Sequence, residues 1–204
     1  MHEGERLNTC THGLGLLLAL AAAVVLIGEA AASKDAWRVV SFSVFAAAMV
    51  ALYAASTLFH GTRGRAKAAW ARADHCAIYL MIAGTYTPLA LVALRGIWGW
   101  GLFAAVWAAA LYGVARELLP ARERPPAVAL YVLMGWIGLA AVLPIVERFP
   151  AAGLPWLLAG ALLYTGGVLF YARDGRWRHA HGVWHLFVLG GSASHCIALR
   201  SLLA

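Results

Sequence analysis

HGVWHLFVLGGSASHCIALRSLL, residues 181–203, decides how this chain is read. From Gly182 onward it is predominantly apolar and close to the roughly 20 residues that carry a helix across a bilayer core. Its first turn is different. His181 and His185 are four residues apart, so on a helix they lie one above the other and can aim their rings at one point. Two imidazoles converging at the edge of a membrane helix suggest a metal ion.

Outward from that stretch, six more apolar runs of similar length recur. The seven predicted spans fall at about 14–32, 37–59, 75–94, 97–115, 126–145, 154–172 and 182–203. Of the 204 residues 63% are hydrophobic and 12% charged, against about 25% charged in a soluble domain, which excludes a typical soluble protein. The expected fold is therefore an all-α, seven-transmembrane helix bundle forming a single domain over 1–204. The small residues of EAAASKD resemble a signal-peptidase site. Glu3 and Glu5 in the N-terminal flank, and an apolar run longer than the about 7–15 residues of a signal sequence, favour a retained helix.

The formal charge of +7 is no sign of nucleic-acid binding, because the basic residues sit in short loops. With the N-terminus inside, eleven of them face the cytoplasm: Arg6, Arg63, Arg65, Lys67, Arg72, Arg116, Arg122, Arg124, Arg173, Arg176 and Arg178. Five face the other side: Lys34, Arg38, Arg95, Arg148 and Arg200. The bias predicts a cytoplasmic N-terminus and an external C-terminus. Cys10, Cys76 and Cys196 form no CxxC pair and no disulfide is expected. Glycine and alanine along the helices permit close backbone approach and leave a homo-oligomer open.

This topology brings the unusual residues to one face. His60 ends the second span there, Asp74 begins the third, and His181 begins the seventh, with His185 and Ser56 one turn deeper than His181 and His60. Ionisable groups in membrane segments are costly, so their clustering marks a candidate site. Nitrogens from His60, His181 and His185 would leave one position of a tetrahedral zinc ion for water, as in catalytic zinc sites. Asp74 is the candidate base for that water, and Ser56 could hydrogen-bond it or the developing oxyanion. Iron, copper or nickel also suit imidazole. Taken singly each residue has a plainer role: His60 at the interface, Asp74 capping the third helix, Ser56 bonding its own i−4 carbonyl.

Glu5, Asn8 and His12 in GERLNTCTHG share a helical face. If the first helix starts before Glu5, they stand behind the ligands or Asp74 and orient them by hydrogen bonds. His195 lies ten residues after His185, about 15 Å along the axis, and is expected to bond elsewhere in the bundle, to Ser192 or Ser194.

The stretches ERLNTCTHGLG at 5–15, STLFH at 56–60, ADHCAIYLMIAGTYTPL at 73–89 and HGVWHLFVLGGSASH at 181–195 resemble the bacterial hemolysin III family, within the progestin and adipoQ receptor (PAQR) superfamily. The resemblance implies seven helices with a cytoplasmic N-terminus and a zinc site near that side. His60, His181 and His185 match the family's metal ligands, Ser56 and Asp74 its serine and aspartate, and Glu5 and Asn8 its residues before the first helix. The superfamily is similar to alkaline ceramidases, which implies hydrolysis of a lipid amide or ester, with a link to membrane lipid homeostasis.

The leading expectation is thus a multi-pass zinc hydrolase of the bacterial inner membrane. Membrane lipids would be its substrate, zinc-bound water the nucleophile, Asp74 the base and Ser56 its assistant. The competing one is a haemolysin-like, pore-forming or membrane-perturbing protein whose zinc only fastens helices two and seven. An ion transporter is disfavoured by the scarcity of mid-membrane charge. A retinal pigment is disfavoured because the two lysines, Lys34 and Lys67, are expected in loops.

Overall fold

A computed structural model of the chain describes residues 3–119 and 127–204, with side chains from Glu5 onward. The start of the predicted fifth span at residue 126, and Arg122 and Arg124, lie outside the described residues. The helices are α1 (Glu3–Ala32), α2 (Ala36–Gly61), α3 (Arg65–Pro88), α4 (Ile97–Leu118), α5 (Val128–Trp136), α6 (Val142–Arg148), α7 (Leu154–Tyr171) and α8 (Ala180–Arg200). A π-helical turn, Leu89–Ala93, extends α3, and a 3-10 turn, Ile137–Ala141, joins α5 to α6. They make seven spans long and apolar enough to cross a membrane.

Two helices begin well before their hydrophobic runs. α1 starts at Glu3 rather than near 14, and α3 at Arg65 rather than near 75. Hydropathy detects the part of a helix that lipid must surround, whereas the polar first turns of α1 and α3 are held by their own ladder and by neighbouring helices. Smaller differences are a later end of α4 at Leu118 and a fifth span ending at Arg148. Lys67 consequently stands on α3 and not in a loop, and Asp74 is the tenth residue of α3, so it caps no helix.

Inside the bundle, broken backbone ladders are repaired by side chains, as a medium without water demands. Pro88 has no N–H to donate, and the ladder widens directly after it into the π turn. Where α5 gives way to the 3-10 turn, the Tyr86 hydroxyl donates to the Gly135 carbonyl at 2.7 Å and accepts from the Gly138 N–H at 3.1 Å. Asp35 caps α2 by accepting from the Trp37 N–H at 2.9 Å.

α1 packs against both α2 and α8, α2 against α3, and α7 against α8. The buried core runs along α2 and α3, through Phe42, Phe45, Tyr53 and Tyr79. At one end of the bundle Asp35 pairs with Arg95, and Glu29 takes the Arg200 guanidinium in a forked contact with a shortest distance of 2.5 Å. Glu5, Asn8 and His12 of α1, Ser56 and His60 of α2, Asp74 of α3, and His181 and His185 of α8 lie toward the opposite end.

Candidate metal centre

α2 delivers His60 from its last turn, and α8 delivers His181 and His185 from its first two. Their ring centroids form a nearly equilateral triangle, 4.9 Å from His60 to His181, 4.9 Å from His60 to His185 and 4.8 Å between His181 and His185. One ring nitrogen of each lies within 4.8 Å of those of the other two. α1 can come close enough to complete this end because residue 182 is glycine: a Cβ there would stand 2.5 Å from Leu7 Cδ2.

The hydrogen bonds set the chemistry of each ring. His60 Nδ1 meets Glu5 Oε2 at 2.5 Å, and His181 Nδ1 meets Asp174 Oδ2 at 2.8 Å. A carboxylate accepts only, so both Nδ1 atoms carry the proton. His185 Nδ1 lies 3.2 Å from the Thr11 hydroxyl, whose own proton goes back to the carbonyls of Leu7 and Asn8 at 2.9 and 3.0 Å. There too Nδ1–H donates.

All three Nε2 atoms are therefore bare lone pairs, and all three are buried without a hydrogen-bond partner. A buried unpaired acceptor costs about 1–3 kcal/mol, and three converging ones fit a cation. The donor set thus suits a metal that takes imidazole nitrogen, with the remaining N–H fixed by a carboxylate or hydroxyl as is usual for metal-ligating histidine.

Asp74 and Ser56 are buried, 5% and 1% exposed, and connect to the triangle through His12. Ser56 Oγ lies 2.7 Å from His12 Nδ1 and also reaches the Asp74 carboxyl. The α2 hydroxyl that bonds its own i−4 carbonyl is that of the neighbouring Thr57, at 2.7 Å from the Tyr53 oxygen. The group of converging nitrogens does not include an Asp74 oxygen.

Of the three α1 residues singled out from sequence, Glu5 grips His60 and also takes Lys67 Nζ at 3.0 Å. His12 stacks on His185 with centroids 3.5 Å apart and planes at 11°, so it contacts a triangle histidine through its ring face. Asn8 is buried, and its backbone carbonyl bonds Thr11 and His185.

Two participants escape sequence reading. Thr11 is three residues from Asn8 on the same helical stripe, a signal that was available. Asp174 is seven residues before His181 but lies in the loop between α7 and α8, so the helical period does not relate the two. His195 lies outside the site, and its Nε2 bonds the Leu157 carbonyl at 3.1 Å rather than Ser192 or Ser194. Ser192 is taken by the Tyr53 and Tyr164 hydroxyls at 2.7 and 2.8 Å.

Fold and site together define a class: a seven-helix integral membrane protein whose buried histidine cluster could hold a metal ion. The family model described as "Haemolysin-III related" matches residues 2–196. Hemolysin-3 of Bacillus cereus is 40% identical over 191 residues, covering 93% of this chain and 87% of that one. The Hemolysin-3 homolog of Bacillus subtilis is 40% identical over 195 residues, covering 93% and 90%. The human monocyte to macrophage differentiation factor is 28% identical over 174 residues, covering 82% and 72%, and ties the chain to the PAQR superfamily. The chain belongs to the haemolysin-III-related family. It is a multi-pass protein of the bacterial inner membrane.

Proposed function

We propose that the chain is a zinc-dependent hydrolase acting on a lipid amide or ester, with the site and the N-terminus on the cytoplasmic side. The observation that carries the reading is the set of three buried, unpartnered Nε2 atoms, from His60, His181 and His185, with the buried Asp74 carboxyl linked to them through Ser56 and His12. His60, His181 and His185 would hold a zinc ion, which would supply Lewis acidity toward a carbonyl and lower the pKa of water to about 7.

The chain's own residues divide the remaining work. Asp74 takes the proton of the attacking water and returns it to the leaving group, a transfer of the kind worth about 10²–10⁴ in rate. Ser56, held by His12 Nδ1, orients the Asp74 carboxyl toward that water. Burial of the pair excludes competing bulk water. The site side follows from the excess of arginine in the loops at that end.

Metal content per chain of detergent-purified protein tests the first half. About one zinc is expected in wild type and little in His60→Ala, His181→Ala or His185→Ala, whereas Asp74→Ala keeps most of its metal. A screen of lipid amides and esters then tests the second half, with turnover expected in wild type and lost in Asp74→Ala. Equal metal loss in all four variants would contradict the role of Asp74.

The printed name of the Bacillus cereus relative, Hemolysin-3, supports a second reading, a membrane-perturbing protein in which the metal only fastens α2 to α8. Dye release from vesicles by wild type and Asp74→Ala alike, with no lipid consumed, would favour it.

A further inference from the structure

Among the described residues, the loop between α7 and α8 carries the one carboxylate at the candidate centre that comes from outside a helix. We propose that Asp174 is a positioning residue for the metal centre, and that through it the conformation of the 172–179 loop and occupancy of the centre are linked. The inference rests on the metal-site reading above and adds a residue and a regulated segment to it.

The bond itself is direct. Asp174 Oδ2 accepts from His181 Nδ1 at 2.8 Å, while Oδ1 accepts from the Gly175 N–H at 2.9 Å, so both oxygens are used and the carboxyl has one orientation. With Nδ1 so held, the ring turns its Nε2 into the buried space shared with His60 and His185.

The loop is built to present that carboxyl. Its backbone turns through the Asp174 N–H to Tyr171 O at 3.1 Å and the Arg176 N–H to Arg173 O at 2.9 Å, with Gly175 at φ +77° where a side chain would be strained. The Arg173 guanidinium lies 4.8 Å over the Trp177 ring, and Trp177 in turn meets Phe170 edge to face at 6.1 Å. His179 enters α8 with φ +63°, a left-handed conformation costing about 1–2 kcal/mol for a residue with a Cβ. Such a conformation persists only where its surroundings hold it.

Glu5 and Thr11 act on His60 and His185 from within α1, a continuous helix. Asp174 acts from a segment that solvent surrounds, its side chain 50% exposed. Of the three restraints it is the one a loop movement would release. Linkage is reciprocal: if the loop conformation changes metal affinity, the metal changes the loop equilibrium by the same factor.

The loop carries its own reporter, since Arg173, Arg176 and Arg178 are exposed trypsin sites. The experiment compares wild type, Asp174→Ala, Asp174→Asn and the distant control Glu29→Ala, all full length in detergent. Zinc affinity is measured by competition with a chromophoric chelator, and tryptic cleavage within 173–178 with and without zinc. Removing a residue that orients a metal ligand typically costs 10–100-fold in affinity.

Asp174→Ala should lose about that much, and zinc should no longer slow cleavage of its loop. Asp174→Asn, which keeps an acceptor for Nδ1–H, should recover most of both effects. Glu29→Ala should match wild type. An unchanged affinity in Asp174→Ala, with wild type binding about one zinc, overturns the inference alone. Zinc binding that leaves cleavage of the wild-type loop unaltered overturns the linkage. No zinc on wild type overturns the metal-site reading and this inference together.

Discussion

Each triangle histidine has one nitrogen spent on a protein acceptor and one facing its two companions, and the two jobs are filled by different residues. Glu5, Thr11 and Asp174 serve the rings of His60, His185 and His181, while His12, Ser56 and Asp74 form a separate hydrogen-bonded chain alongside. Substitutions in the two sets should therefore separate. Thr11→Val keeps the shape of the side chain and leaves the His185 Nδ1–H with the Asn8 carbonyl as its one acceptor, so metal affinity should fall, toward the lower end of the usual range of about 10–100-fold. His12→Phe keeps an aromatic ring against His185 and removes the bond to Ser56, so metal content should persist while turnover of any identified lipid falls. Chelator competition and initial rates on the same preparations check both. A matching loss of metal in the two variants would mean that the chains are not independent. At this scale the sequence marks chemistry only where spacing carries it: His181 and His185 share a face by the helical period, whereas Asp174 reaches His181 through a loop whose path no local pattern encodes.

α7 and α8 approach closely where glycine leaves room, and Gly160 is the clearest case. A Cβ at residue 160 would lie 2.1 Å from His195 Cδ2 and 2.4 Å from its Nε2. The ring cannot simply swing away, because Nε2 is bonded to the Leu157 carbonyl on the same face of α7. Gly160→Ala should destabilise the protein by about 1–3 kcal/mol, the usual range for overpacking. His195→Ala should remove most of that penalty, so the double variant should be more stable than the sum of the two single losses implies. Unfolding midpoints in one detergent measure the cycle, and strict additivity would show that the ring is not the obstacle. Seven apolar periods and their order were legible in sequence because lipid demands about 20 apolar residues per span. The polar overhangs of α1 and α3, and the break between α5 and α6, were not, because tertiary partners such as Tyr86 hold them.

The two ends of the molecule are stabilised by unlike means, and that difference can be measured. The end bearing Asp35–Arg95 and Glu29–Arg200 is tied by exposed ion pairs, which solvent screening leaves weak. The other end brings together the buried His60 and His185 and the half-buried His181 from α2 and α8, with α1 packed against both helices and supplying Glu5 and Thr11. Without a cation the convergence leaves three unpaired acceptors in the interior; with one, a single ligand joins segments some 120 residues apart in sequence. An ion that binds the folded state alone stabilises it by about 2.7 kcal/mol at a free concentration 100 times its Kd. Stripping the metal should thus lower the unfolding midpoint of wild type, and returning zinc should restore it in proportion to the logarithm of its concentration. His185→Ala should unfold at one midpoint whether or not zinc is present, because its centre retains two of three ligands. Arg200→Ala, at the far end, should shift the midpoint little, since its exposed ion pair is screened by solvent, and keep the full zinc response. If wild type carrying one zinc per chain unfolds at the same midpoint after the metal is removed, the ion does not draw α2 and α8 together. The end of the bundle that contains it would then owe its order to the packing of α1 on α2 and α8, with the Glu5, Thr11 and Asp174 hydrogen bonds sufficient to hold the three rings in place.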